Sequence, residues 1–224
     1  MGLFNKRKIT KNFRYYLSET IVVVIGIFIA IQLNNLNENR KSKIEEQKSL
    51  KRIYSDLETE KKLLQISVND IKTSNRFLKK VIFENGSNNL DSLYIHSSKT
   101  FFHYKFNSEY INLKYSGKLN LISDKDLRFY LVRYYEAGYT FYQEISKSQK
   151  KFTEENINTY FKQEFPRDTI NLLNSGLVVD KLNSEKLTNI LIDQINEYNF
   201  IIKNIRVNET EFLLETIKKE IKNN

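Results

Sequence analysis

Cysteine and tryptophan are absent from this sequence, proline occurs once, glycine six times and histidine twice. Without Cys there are no disulfides, thiolate metal sites or cysteine nucleophiles. The shortage of Pro and Gly argues against an all-β domain with many tight turns and favours long helices. The two histidines, His96 and His103, stand seven apart with no Glu-x-x-His or His-x-x-x-His spacing, so no metal site is expected. There is no Gly-rich phosphate loop, G-x-S-x-G elbow or Walker pattern. The acid pairs Asp124/Asp126, Glu45/Glu46 and Glu154/Glu155 read as helix-cap and solvated-face charges. The sequence therefore points to no enzyme, no cofactor and no metal.

What is present suits a folded chain. Its 224 residues are 40% hydrophobic and 28% charged, enough for one sizeable core. With no Trp, ring packing falls to 14 Tyr and 15 Phe alongside Leu and Ile. The net charge of +9 is unevenly spread. Lys6, Arg7, Lys8, Lys11 and Arg14 face only Glu19 within residues 1–36, a net of +4, which leaves +5 on the rest in mixed-sign segments. No compact basic stripe or recognition module is visible, so nucleic acid is not an expected partner.

Residues Ile21, Val22, Val23, Val24, Ile25, Gly26, Ile27, Phe28, Ile29, Ala30 and Ile31 form a run without one polar side chain. Such a run has no amphipathic period with which to face a core on one side and water on the other. A bilayer span needs ~20 mostly apolar residues. Leu17 to Leu36 supplies that length by admitting Ser18, Glu19, Thr20, Gln32, Asn34 and Asn35 at its ends, where headgroups and water satisfy them. Phe13, Tyr15 and Tyr16 fall where an interfacial aromatic belt would lie. The Leu, Ile, Phe and Val side chains between Ile21 and Leu33 favour insertion by roughly 3 to 6 kcal/mol in total. A cleaved signal peptide shares the basic start, but Ala30-Ile31-Gln32-Leu33-Asn34-Asn35 lacks an A-x-A-like site. A buried core helix is the other rival. The expected organisation is a basic cytoplasmic tail (1–16), a transmembrane anchor helix (17–36) and a helical domain (37–224). Lys and Arg are nearly balanced across the span, five in the tail and six in residues 37–55. The acid-free tail favours a cytoplasmic N-terminus and an extracytoplasmic domain. Gly26 and Ala30, four apart, offer two such helices a close approach.

The stretch from Ser18 to Glu38, SETIVVVIGIFIAIQLNNLNE, resembles the opening of a bacterial family of single-pass membrane proteins of unknown function, typical of Bacteroidota. Those proteins begin with a basic tail and a pattern close to GE-x-x-LVVIGI-x-IA-x-Q-x-NNWNE. Ser18 stands where that family usually has Gly, and Leu36 where it usually has Trp. A second similar block spans Tyr110 to Leu127, followed by Tyr134-Tyr135. The resemblance implies a membrane-anchored domain, placed at the bacterial inner membrane, and brings no catalytic residues with it.

Beyond Asn39 the pattern turns helical. Leu50, Leu57, Leu64, Ile71 and Leu78 recur every seven residues, with Tyr54, Val68 and Ile82 on a second seam broken by Lys61 and Asn75. No Pro lies between Thr20 and Glu84, so one helix is expected to run on from the anchor and stop at Asn85-Gly86. Residues 87–107 read as an ordered connection or short helices, and Ser108–Ser116 as a short helix closed by Gly117. A second long helix is expected from an N-cap at Ser123 to just before Pro166. Its stripe is Leu127, Leu131, Tyr134, Gly138, Phe141, Ile145 and Phe152. A third is expected from Ser184, with stripe Leu187, Leu191, Tyr198, Ile202, Ile205, Phe212 and Ile217. The fold class expected is all-α: an N-terminal transmembrane helix followed by an up-and-down bundle of three long amphipathic helices plus short ones.

Tyr135, Tyr139 and Tyr142 share a helix face beside Gly138, while Tyr134 belongs to the core stripe. That face reads either as core packing, with hydroxyls reaching solvent, or as a ligand or partner surface. The leading functional expectation is a non-enzymatic interaction, scaffold or sensor-like protein of the envelope; the alternative is a small-molecule receptor using the Tyr-rich face. Expected partners are the lipid bilayer and either a second copy of the chain or another envelope protein.

Overall fold

The computed structural model describes residues 5–84, 90–165 and 184–223, and side chains over 16–84, 90–165 and 184–222. The chain is all-helical, with no strand among the described residues. The expected stop at Asn85-Gly86, the boundary at Pro166 and the basic and aromatic side chains before Tyr16 lie outside the described residues. In order, the helices are α1 (Asn5–Phe83), α2 (Leu90–Ser97), α3 (Ser108–Tyr115), α4 (Lys125–Arg133), α5 (Tyr139–Phe152), α6 (Thr159–Glu164), α7 (Glu185–Asn204) and α8 (Val207–Asn223). Turns of π-helix over Tyr134–Gly138 and Thr153–Asn158 link α4, α5 and α6.

By contact the chain divides into two compact units, residues 1–48 and 49–223. In the first unit every described side chain from Tyr16 to Glu45 is exposed, including all of Ile21 to Ile31. Among the described residues, one helix is long and apolar enough to cross a membrane, and none of its apolar window is buried.

The second unit is a helical bundle with two apolar clusters. Leu50, Ile53 and Leu57 of α1 pack with Tyr110, Leu113, Leu127, Leu131 and Ile217. Leu64, Val68, Ile71 and Leu78 pack with Phe101, Tyr160, Phe161, Leu187, Leu191 and Tyr198. All five residues of the seven-residue repeat are therefore in the core. The second seam holds at Val68, which is buried, and at Ile82, which packs against the core, but differs from the expected one before them. Between Leu50 and Leu64 the buried residues beside Leu57 are Ile53 and Glu60, one step before Tyr54 and Lys61. Lys61 instead reaches the bundle edge and pairs with Glu211 at 2.7 Å.

Local signals set several helix ends. The Ser184 hydroxyl accepts the Leu187 N–H at 3.2 Å and so caps α7. Gly117, at φ +70°, closes α3. Its N–H donates to Lys114 O and the Lys118 N–H to Leu113 O, the paired bonds of a Schellman ending that needs a left-handed residue. The cap of α4 is Asp124 rather than Ser123. Its carboxylate accepts the N–H groups of Asp126 (2.8 Å) and Leu127 (2.9 Å), and a charged acceptor at this position also complements the helix dipole.

Two expected helices are modified. The stretch from Ser184 onward is two helices, interrupted at Ile205–Arg206. There the Arg206 N–H donates to the Tyr142 hydroxyl at 3.3 Å instead of to a carbonyl one turn back. Phase resets across the break, so Leu213 and Leu214 are buried and Phe212 is exposed. In the second long run, the π turn at Tyr134–Gly138 shifts phase in the same way. Tyr139 and Tyr142 turn inward, and Phe141, expected in the core stripe, turns out.

Candidate functional site

The most unusual chemistry of the bundle is one buried carboxylate. Glu60 lies three residues after Leu57 and four before Leu64, on the buried stripe of α1 and between the two apolar clusters. It is 1% exposed. An ionised carboxylate at such a site is tolerable only if its lone pairs are filled by donors. Here they are. Tyr134 Oη donates to Oε1 at 2.8 Å, His103 Nε2 to the same oxygen at 2.9 Å, and Tyr139 Oη to Oε2. Thr210 Oγ1 lies 2.8 Å from the Tyr134 hydroxyl and completes a chain into α8.

Five separate pieces of the chain thus meet at Glu60: α1, the extended segment before α3, the first π turn, the first residue of α5, and α8. The π turn makes this convergence geometrically available. Tyr134 and Tyr139 are five apart, on well-separated faces of an α-helix, whereas a turn with i→i+5 hydrogen bonding brings them toward one face. Their ring centroids are 5.6 Å apart.

The extended segment 99–107 explains several other buried polar groups. Lying against helices, its backbone has no ladder to join, so side chains must satisfy it. Gln149 Oε1 accepts the Phe101 N–H at 2.8 Å and Gln149 Nε2 donates to Lys99 O at 2.9 Å. Ser146 Oγ donates to Phe101 O, and Ser67 Oγ accepts from Phe102 N. The Tyr139 hydroxyl accepts the Phe106 N–H at 3.2 Å, and Tyr198 Oη donates to Lys99 O at 2.8 Å. Gln194 Nε2 holds the preceding Ser97 carbonyl at 2.7 Å. His103, carried into the interior by this segment, stands edge-on to the rings of Tyr139 and Tyr142 at 4.6 and 5.3 Å.

Electrostatics keep the phenols neutral. Burial, and then the Glu60 charge, push Tyr134 and Tyr139 well above the ordinary tyrosine value. Tyr135 is raised by the same two causes, and Tyr142 is pushed up to about 12 by burial first. All four keep their hydroxyl protons throughout the physiological range. The other histidine, His96, stacks on Phe77 with its Nδ1 3.2 Å from Ser74 Oγ, and burial followed by Lys99 lowers its pKa. Among the described residues no cluster of His, Asp and Glu could hold a metal ion.

The four residues singled out from the sequence separate into two groups. Tyr135, Tyr139 and Tyr142 are all buried. Their hydroxyls do not reach solvent: Tyr139 serves Glu60, Tyr142 holds the α7–α8 break, and the Tyr135 hydroxyl is buried without a hydrogen-bond partner while its ring stacks on Tyr110 at 4.5 Å. Gly138 and Tyr142 alone of the four border a surface cleft of about 370 Å³. Glu60 and His103 were not legible as partners in the sequence. The available signal was a carboxylate on the 3–4 stripe of an otherwise apolar seam.

Compared with protein-family models, curated proteins and solved structures, the chain matches none.

Proposed function

We propose that this protein is a single-pass protein of the bacterial inner membrane whose bundle acts as a non-enzymatic interaction, scaffold or sensor-like module. The observation that supports it is the contrast along α1. A helix bearing eleven consecutive exposed apolar residues continues into the seam of a bundle, so lipid is the natural cover for the first part and protein for the second. The Bacteroidota-type opening motif supports the same placement, and the acid-free tail favours a cytoplasmic N-terminus. In this reading the bundle is three long runs, up and down: α1 from Ser49, the α4–α6 run, and the α7–α8 pair. Its seven-residue seam has a coiled-coil-like character, and its partners are the bilayer together with a second copy or another envelope protein. Alkaline carbonate extraction of cell membranes tests the anchor. Full-length protein is expected in the pellet, and its release to the supernatant would defeat the proposal. A C-terminal alkaline phosphatase fusion, active only outside the cytoplasm, tests the orientation.

A second reading, a small-molecule receptor, is favoured by one observation. Gly138 and Tyr142 border the cleft between the π turn and the α7–α8 break. Such a role is compatible with the anchor and independent of it.

A further inference from the structure

The cleft has a defined chemical character. Its outer walls include the rings of Tyr130, Phe141 and Phe212, all substantially exposed at 38%, 44% and 49%. Exposed rings grouped around a concavity are unusual, because three such side chains lose favourable burial unless something covers them. Tyr130 and Phe212 meet edge to face at 5.2 Å, which fixes their planes. The floor is made by Tyr134 and Tyr142, both held by hydroxyl bonds on their far side, so it is rigid.

The mouth carries charge of predominantly one sign. Arg133 and Arg206 both line it, against Glu209. Glu209 is engaged by Arg206 Nη1 at 3.1 Å, whereas Arg133 has no ion pair among the described residues. An unpaired guanidinium beside apolar rings presents a planar fork suited to two oxygens of one carboxylate. The space itself exists for two reasons. Gly138 contributes no side chain, and a Cβ there would meet only the Tyr134 ring, at 3.7 Å. The break at Ile205–Arg206, pinned by Tyr142, opens the opposite wall.

We infer that this cleft binds a small molecule with an aromatic body and a single carboxylate, the ring lying among Tyr130, Phe141 and Phe212 and the carboxylate on Arg133. This rests on the receptor reading and supplies its ligand class. Its volume falls within the range of small-ligand sites, and the aromatic walls and the free cation select for the two halves of such a molecule.

The test uses full-length protein in lipid nanodiscs, titrated calorimetrically with naphthoate and with its neutral counterpart naphthylmethanol, against empty nanodiscs as blank. Naphthoate is expected to bind about tenfold or more tightly than the alcohol, and Arg133→Gln is expected to erase that difference while leaving the melting temperature unchanged. Gly138→Leu, whose side chain would enter the cleft, is expected to abolish binding of both probes without unfolding the bundle. Equal affinity for the two probes overturns the carboxylate assignment and leaves the receptor reading standing. No binding of either overturns both. Undiminished binding to Gly138→Leu places the probe elsewhere and overturns the site.

Discussion

Two stretches of the same helix, Tyr16–Glu45 and Ser49–Phe83, live by different rules. The first is the more apolar, yet every side chain in it is exposed; the second is rich in Lys, yet buries a residue at almost every turn. Apolar content therefore does not decide burial within the protein. Periodicity does. Ile21–Ile31 is apolar all round and has no preferred face to bury, whereas the 3–4 spacing from Leu50 onward gathers its apolar groups on one side. The lesson extends to polar residues, since Glu60 is buried because of where it falls on that stripe.

Substitutions that act on one stretch and spare the other sharpen this comparison. The largest expected effect is that of Glu60→Ala. It removes the acceptor of three buried donors, Tyr134, Tyr139 and His103, and is expected to cost about 3–5 kcal/mol, read as a fall in melting temperature. Membrane partitioning of this variant is expected to be unchanged; a melting temperature equal to the parent's would show that the carboxylate is not integral to the fold.

The mirror-image change is Ile25→Lys. A lysine at the centre of a span costs about 2.5–3.5 kcal/mol on the insertion scale, to which the lost isoleucine adds a few tenths. Carbonate extraction is expected to release much of this variant, while its bundle melts as before. If instead the melting temperature falls and the protein stays with the pellet, residues 21–31 belong to a packed core.

High pH probes the bundle in which the second stretch is packed. Tyr134, Tyr139 and Tyr142 have folded-state pKa values raised above the ordinary 10.0 of an unfolded tyrosine, so the folded state holds these protons more tightly. The stability they contribute is fully present below pH 10 and is lost as pH rises from there through about 12, the value for Tyr142. Denaturant midpoints across pH 8 to 12 are expected to be level at first and then to fall. A midpoint that rises above pH 10 would contradict the buried arrangement of the phenols.

Much of this architecture was readable from the sequence, and the exceptions share a cause. The apolar run, the Leu50–Leu78 repeat, the Ser184 cap and the Gly117 ending all depend on one residue type at one spacing. The π turns do not. Nothing about Tyr134–Gly138 marks a change from i→i+4 to i→i+5 bonding, and with that shift the expected faces of Tyr139, Phe141 and Tyr142 were reassigned. The break at Ile205–Arg206 carries neither Pro nor Gly; it is imposed from outside by the Tyr142 hydroxyl. Glu60 was hidden because Ile53 and Glu60 extend the stripe as well as Tyr54 and Lys61 do, and only the partners brought from the π turn, α5, α8 and segment 99–107 decide between them.

The smallest expected effect is Lys61→Ala, at the position of the expected seam that stays at the bundle edge. Its 2.7 Å pair with the half-exposed Glu211 is expected to be worth about 0.2–1 kcal/mol and to weaken with added salt. A loss as large as that of Glu60→Ala would mean that Lys61, and not Glu60, is the residue held in the interior.

The absence of cysteine allows the anchor to be tested at single-residue resolution. Ile25 and Ile44 are almost equally exposed in the protein itself, at 52% and 49%. Ile25→Cys and Ile44→Cys, each the sole thiol of its chain, are treated with a water-borne maleimide in native membranes. The account predicts rapid labelling of Ile44→Cys and none of Ile25→Cys until the membrane is dissolved and the protein denatured. Equal labelling of the two thiols in intact membranes would contradict it.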